Sequence, residues 1–215
     1  FAEYDCFRYT LDDFKEKARV LKAGCFLVEV LPAENENNYE YLYQIKQYAK
    51  AAGFVYYSKV SWKKGTFVSN TGRKAKNTQD IMIFSKGKAR NMRFDKKKSD
   101  LTGEKCYMSG CNGMLPAMFD VQPVARKNKI HQSELPVQLC EEILEYVTYE
   151  GEIILDSFAG SGAVGVAALN KKRSCILIEI LKENIEKIRT RFNSVLYQTV
   201  LELSLIHISE PTRPY

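Results

Sequence analysis

The residues best placed to do chemistry lie between Asp156 and Glu179. The string Asp156-Ser157-Phe158-Ala159-Gly160-Ser161-Gly162-Ala163-Val164-Gly165 contains G-x-G-x-x-G at Gly160, Gly162 and Gly165. It follows a short β-rich run, Glu152 to Leu155, and Glu179 stands nineteen residues beyond Gly160. Glycines let a backbone approach a ligand closely, and an acid at the end of the next strand can accept from both hydroxyls of a ribose. This is the general fingerprint of a bound nucleoside cofactor.

Asp156 narrows the chemistry. It sits at the strand end, directly before the glycines. A carboxylate there repels a pyrophosphate and suits a ligand with a positive end, such as an amino group or a sulfonium. S-adenosylmethionine carries both, so these residues favour it over NAD or FAD. Two alternatives stay open on the glycines alone: a dinucleotide, or a turn that only packs helix on strand.

The elements needed to hold this turn are legible around it. Pro136 opens a helix with Val137, Cys140, Ile143, Leu144 and Val147 on one face. A strand at Glu152–Leu155, a helix at Gly162–Leu169, a strand at Ser174–Ile180 and a helix at Glu183–Phe192 follow. That alternation predicts a parallel α/β sheet. Nearer the start, Leu11–Leu21 reads as a helix with Phe14, Ala18 and Leu21 inward, Thr10 as N-cap, Asp12 and Asp13 in the first turn and Gly24 as its stop. Cys25–Leu31, Phe54–Trp62 and Ile81–Phe84 read as strands, the second with Val55, Tyr57 and Val60 as strand formers. Tyr39–Ala52 reads as a helix burying Leu42, Ile45, Tyr48, Ala49 and Ala52, closed by Gly53. Lys63–Asp80 is predicted to be a long polar loop, and residues 86–130 to be irregular.

The 215 residues are 45% hydrophobic and 27% charged, a globular composition. Runs such as Cys25–Val28 and Ile153–Leu155 fall far short of the ~20 apolar residues of a membrane span, so no membrane partner is expected. The opening residues lack a secretory pattern. Net charge is +6, unevenly placed: residues 1–62 carry −1, residues 63–98 carry +10 and residues 99–215 carry −3. The central block creates a local field that attracts polyanions; the plainer reading is a solvated Lys-rich loop. Six cysteines, at 6, 25, 106, 111, 140 and 175, form no C-x-x-C. Cys25, Cys140 and Cys175 read as small buried hydrophobes. Cys106 and Cys111 would need more zinc ligands than His131 supplies, so no metal site is expected.

Asp156-Ser-Phe-Ala-Gly-Ser-Gly162 resembles motif I of the amino-type DNA methyltransferases, which methylate adenine N6 or cytosine N4. Upstream, His131-Gln-Ser-Glu-Leu-Pro136 resembles the family's motif X, and Arg19-Val-Leu-Lys-Ala-Gly24 its motif V region. Trp62-Lys63, the basic loop and Ile81–Gly87 are similar to the strands before the recognition region. This order is the permuted one of the β class, and the resemblance covers roughly residues 8–195. It implies a Rossmann-like, S-adenosylmethionine-dependent α/β sheet with circularly permuted motifs and a small irregular recognition insert. Residues 1–88 would form the catalytic half, 89–130 the recognition insert and 131–202 the cofactor half.

Carried onto this sequence, the resemblance gives Asp156, Phe158, Gly160, Ser161 and Gly162 to the methionine pocket, Glu179 to the ribose, and His131 and Pro136 to the same pocket. It makes duplex DNA the partner, with Lys63, Arg73, Lys74 and Lys76 as contacts and the target base flipped out of the stack. It permits a homodimer and a cognate restriction endonuclease, and it implies a cytoplasmic protein of a bacterium or phage. Two departures stand out. The family often has Lys where this chain has Leu135, and that Lys would pair with the cofactor carboxylate. The catalytic D/N/S-P-P-Y/F string is absent from the 215 residues. In β-class order it is expected upstream of Phe1, so no catalytic residue is assigned, and the absence of an initial Met agrees. A catalytically incomplete DNA-binding fragment, or an RNA-modifying or NAD-linked enzyme, are the alternatives.

Residues 203–213, Leu-Ser-Leu-Ile-His-Ile-Ser-Glu-Pro-Thr-Arg, resemble the translation of a sequencing adaptor. Residues 203–215 are therefore expected to be foreign to the fold.

Overall fold

The computed structural model describes residues 8–65, 77–92, 97–98, 105–106, 114–129 and 133–194. The chain forms two compact units: Phe1–Pro123 with Glu145–Tyr149, and Val124–Leu144 with Glu150–Tyr215.

In the first unit, α1 (Leu11–Val20) starts at a capping box. The Thr10 hydroxyl accepts the Asp13 N–H at 3.4 Å, and Asp13 Oδ2 accepts the Thr10 N–H at 2.7 Å. The helix ends at Leu21, which turns extended, so it stops before Gly24 rather than at it. Next come β1 (Phe26–Pro32), α2 (Tyr39–Ala51), β2 (Phe54–Lys63) and β3 (Thr78–Lys86). One short pair follows in sequence, β4 (Lys97–Lys98) with β5 (Lys105–Cys106), and then β6 (Met118–Asp120).

The main sheet has the order β1-β3-β2-β6. β3 is antiparallel to both β1 and β2, so those two run parallel and end at the same edge. Ile81, Met82, Ile83 and Phe84 are at most 1% exposed, as expected of a central strand covered on both faces. Ladders on both sides extend that strand well beyond the apolar run, from Thr78 to Lys86. Of the loop expected over 63–80, Lys63 therefore belongs to β2 and Thr78–Asp80 to β3. A bulge between Tyr56 and Ser58 breaks the alternation expected for β2 and leaves Val55, Tyr56 and Tyr57 exposed. β6 lies in the stretch expected to be irregular; three residues are too few to show a period, and its parallel pairing with β2 defines it. Phe14 holds the core together, edge-on to Tyr9, Phe54 and Phe84, above Leu42, Ile45 and Ala49.

In the second unit, α3 (Val137–Val147) begins after Pro136, whose carbonyl accepts the Cys140 N–H at 3.2 Å. β7 (Ile153–Asp156), α4 (Ala163–Asn170), β8 (Ser174–Leu177) and α5 (residues 182–194) complete the predicted alternation. β7 and β8 are parallel, with Asp156 opposite Leu177. Cys140 and Leu144 of α3 pack on Ala163, Ala167 and Ala168 of α4, with Ile154 and Cys175 from the strands beside them. β8 ends at Leu177, short of the expected Ile180, because β7 turns away after Asp156 and leaves no ladder partner. Cys140 is buried as expected, whereas Cys25 and Cys175 are only half-buried.

Candidate functional site

The carboxyl ends of β7 and β8 carry the two acids singled out in the sequence. At the first, Asp156 Oδ1 accepts the Phe158 N–H at 3.0 Å, curling the chain into the glycine turn. The turn is sewn to the strand beside it: the Ile178 N–H donates to Asp156 O at 2.9 Å and the Ala159 N–H to Ile178 O at 3.0 Å. Gly160 and Gly162 have φ of +51° and +74°, in the left-handed region where a side chain is strained.

Glu179 locks the turn from the other side. Its Oε2 accepts the Gly160 N–H at 2.8 Å, and its Oε1 accepts the Leu181 N–H at 2.9 Å. Burial pushes this carboxyl up, but the Leu181, Gly160 and Ile180 backbone N–H groups and the Asn184 side chain outweigh it and hold the group below its ordinary value.

The glycines divide their roles. A Cβ on Gly165 would lie 2.5 Å from the Phe192 ring and 2.7 Å from a Leu177 methyl, so this glycine brings α4 close to α5 and β8. The packing explanation weighed for the glycine pattern therefore holds for Gly165. Gly160 and Gly162 instead shape the turn itself.

Phe158 was singled out in the sequence, whereas Ile180 and Arg191 had no clear signal there. Phe158 is 53% exposed and Ile180 is 93% exposed, apolar surfaces flanking the turn and Glu179. Arg191 of α5 reaches the turn: its Nη1 donates to the Ser161 carbonyl at 3.0 Å and to Glu134 Oε1 at 2.9 Å. The Glu134 side chain is 2% exposed, so this is a buried ion pair. Only the helical period of α5 could have hinted at Arg191.

Pro136 is buried at the start of α3, and Ser161 is buried within the turn. Through Glu134 and Arg191 the segment entering α3 is brought to the same turn as Asp156, Phe158, Gly160, Gly162 and Glu179. His131 lies outside the described residues, as do Arg73, Lys74 and Lys76. Lys63, in the first unit, closes β2 and pairs with Asp120 of β6 at 2.8 Å. Beyond it the basic loop leaves through a closed neck, where the Lys64 N–H donates to Asn77 O at 2.7 Å and Asn77 Nδ2 to Gly65 O at 3.1 Å. Among the described residues no three His, Cys, Asp or Glu side chains are grouped to hold a metal, and no helix is long and apolar enough to cross a membrane.

The family model described as DNA methylase, for N6 and N4 methyltransferases, matches residues 3–190. The type II methyltransferase M.HpaI of Haemophilus parainfluenzae is 29% identical over 161 residues, which are 72% of this chain and 50% of that protein. The type II methyltransferase M.BglI of Bacillus subtilis is 40% identical over 57 residues, 26% of this chain and 16% of that one. The chain thus spans half or less of these curated relatives. Among solved structures, the M1.HpyAVI–SAM complex superposes with a TM-score of 0.63 at 23% identity, over 85% of this chain and 81% of that one. The PvuII DNA methyltransferase (cytosine-N4-specific) gives 0.62 at 17% identity, over 89% and 76%. At these identities the likeness establishes the shared mixed α/β fold.

Proposed function

The chain belongs to the N6/N4 DNA methylase family, and from that membership we propose that the protein is a site-specific DNA methyltransferase. Its methyl group comes from S-adenosylmethionine and goes to the exocyclic amine of adenine (N6) or cytosine (N4) in duplex DNA. The observation that carries this is the pair of acids at the ends of adjacent parallel strands, Asp156 and Glu179, with the glycine turn held between them.

The donor set fits the cofactor. Asp156 and Phe158 stand at the methionine end, the first offering a carboxylate to its positive charge, Glu179 accepts from the ribose hydroxyls, and Ile180 gives apolar surface to the adenine. When bound, the cofactor supplies a methyl group on a sulfonium. Gly160, Ser161 and Gly162 shape the turn around the methionine end, and Pro136 and His131 line it. Leu135 brings no cation to the cofactor carboxylate, which is left to backbone N–H groups or another cation. No cysteine nucleophile is needed for attack by an amine. The string that would hold that amine, D/N/S-P-P-Y/F, is absent from the 215 residues.

The basic loop carrying Arg73, Lys74 and Lys76, with Lys63 at its neck, is assigned to the DNA phosphates. The insert 89–130 is assigned to target recognition and 131–202 to the cofactor. A cytoplasmic location, a bacterial or phage source, a homodimer and a cognate restriction endonuclease complete the reading.

Calorimetric titration of the chain with S-adenosylhomocysteine tests it. Saturable binding that Asp156→Ala abolishes is expected; tighter binding of NAD would refute the assignment. Nucleoside mass spectrometry of duplex DNA treated with protein that includes the amine-holding string then reads the methylated base.

A further inference from the structure

Arg191 stands outside every motif noted in the sequence, yet one of its nitrogens joins two segments far apart in the chain. Nη1 donates both to Ser161 O, at 3.0 Å, and to Glu134 Oε1, at 2.9 Å. Ser161 lies between two glycines of positive φ, and its peptide could rotate easily if nothing held it. The neighbouring donors are each engaged: Ala159 N–H with Ile178 O, Gly160 N–H with Glu179, and Gly162 N–H with Ala159 O at 2.7 Å. Arg191 restrains the turn from its carbonyl side. Glu134 belongs to the short segment entering α3, two residues before Pro136. The side chains of Glu134 and Arg191 are 2% and 19% exposed, so little water competes for the guanidinium.

We infer that Arg191 is a positioning residue for the cofactor, holding the Ser161 peptide of the glycine turn and the Glu134–Pro136 segment in one fixed relation. It touches neither the cofactor nor the reacting atoms. It sets the shape into which the methionine end must fit, and pre-organised sites bind more tightly because less order is lost on binding. A planar, permanently charged guanidinium suits this bridging task better than an ammonium. The inference rests on the S-adenosylmethionine reading of the turn.

The test separates folding from positioning. Removing Arg191 alone would strand a buried carboxylate, so the informative variant is the double replacement Arg191→Met with Glu134→Met, which leaves no buried charge. Its melting temperature should stay near that of the parent. Its affinity for S-adenosylhomocysteine, titrated by calorimetry on the full 215-residue chain, should fall about tenfold, because the Ser161 carbonyl has lost its donor. Arg191→Lys keeps the charge opposite Glu134 and should recover part of that affinity. Parent-like affinity in the folded double variant, or in Arg191→Leu with Glu134→Gln should the first double variant not fold, overturns the inference. A parent chain that binds no S-adenosylhomocysteine overturns the cofactor reading and this inference with it, and the parent titration alone identifies that case.

Discussion

The carboxylate of Glu179 holds the backbone of Gly160 at 2.8 Å. An acid at the end of one parallel strand thereby fixes the turn that follows its neighbour. The fingerprint acid has a structural task before any ligand arrives. It meets that task with two accepted N–H bonds, one to each oxygen.

This relationship makes a pH prediction. The folded Glu179 carboxyl is held below its ordinary value of 4.5. A depressed acid contributes stability above its unfolded value and loses that contribution as pH falls through the folded one. Glu179→Gln can accept through only one oxygen and strands one N–H, at a cost of about 1–3 kcal/mol near neutral pH. Melting curves from neutral to acidic pH should show the variant less stable at neutrality, with a shallower acid decline than the parent. Parallel declines would remove Glu179 from the acid response.

Gly165 is predicted to be intolerant of the smallest addition. Alanine is worth about 1 kcal/mol more than glycine inside a helix. Here its Cβ would sit 2.5 Å from the Phe192 ring and 2.7 Å from Leu177. Overpacking of this kind costs about 1–3 kcal/mol, so a net loss is expected from Gly165→Ala in denaturant melts. Adding Phe192→Leu to Gly165→Ala should return part of it, since it removes the ring carbon in conflict.

Cys140 should be inert in the folded chain. Burial above all, with Asp156 adding to it against the opposing pull of Arg191, pushes its thiol up to about 12. A protonated, buried thiol is a poor nucleophile. Alkylation with iodoacetamide at neutral pH should spare Cys140 until the chain is unfolded, and should label half-buried Cys25 before it. Rapid native labelling of Cys140 would show that α3 opens locally.

The proposed contact of Lys63 with DNA phosphate would compete with an ion pair inside the chain. Its ammonium is 2.8 Å from Asp120, and both side chains are partly exposed, so the pair is worth less than about 1 kcal/mol and is easily exchanged. Asp120→Asn should tighten duplex DNA binding, and Lys63→Ala should weaken it and lower the salt slope by about one. Fluorescence anisotropy at several salt concentrations measures both. An unchanged slope in Lys63→Ala would remove Lys63 from the phosphate contacts.

The sequence by itself determined what depends on neighbours along the chain. Thr10 and Asp13 cap a helix within four residues. The period of Leu42, Ile45 and Ala49 sets the buried face of α2. The strand–glycine–helix–strand order located Asp156, Gly160 and Glu179, because close backbone approach demands glycine and a cationic ligand demands an acid. Tertiary structure decided what depends on residues far apart. β6 is three residues long and exists only through its pairing with β2. Gly165 separates from the other glycines only where Phe192 and Leu177 crowd it. Arg191 looks like one more charge on an amphipathic helix until the fold sets it between Glu134 and Ser161, 57 and 30 residues away in the chain. Local chemistry is written in residue order, but a hydrogen bond across such distances is fixed only when packing brings its ends together.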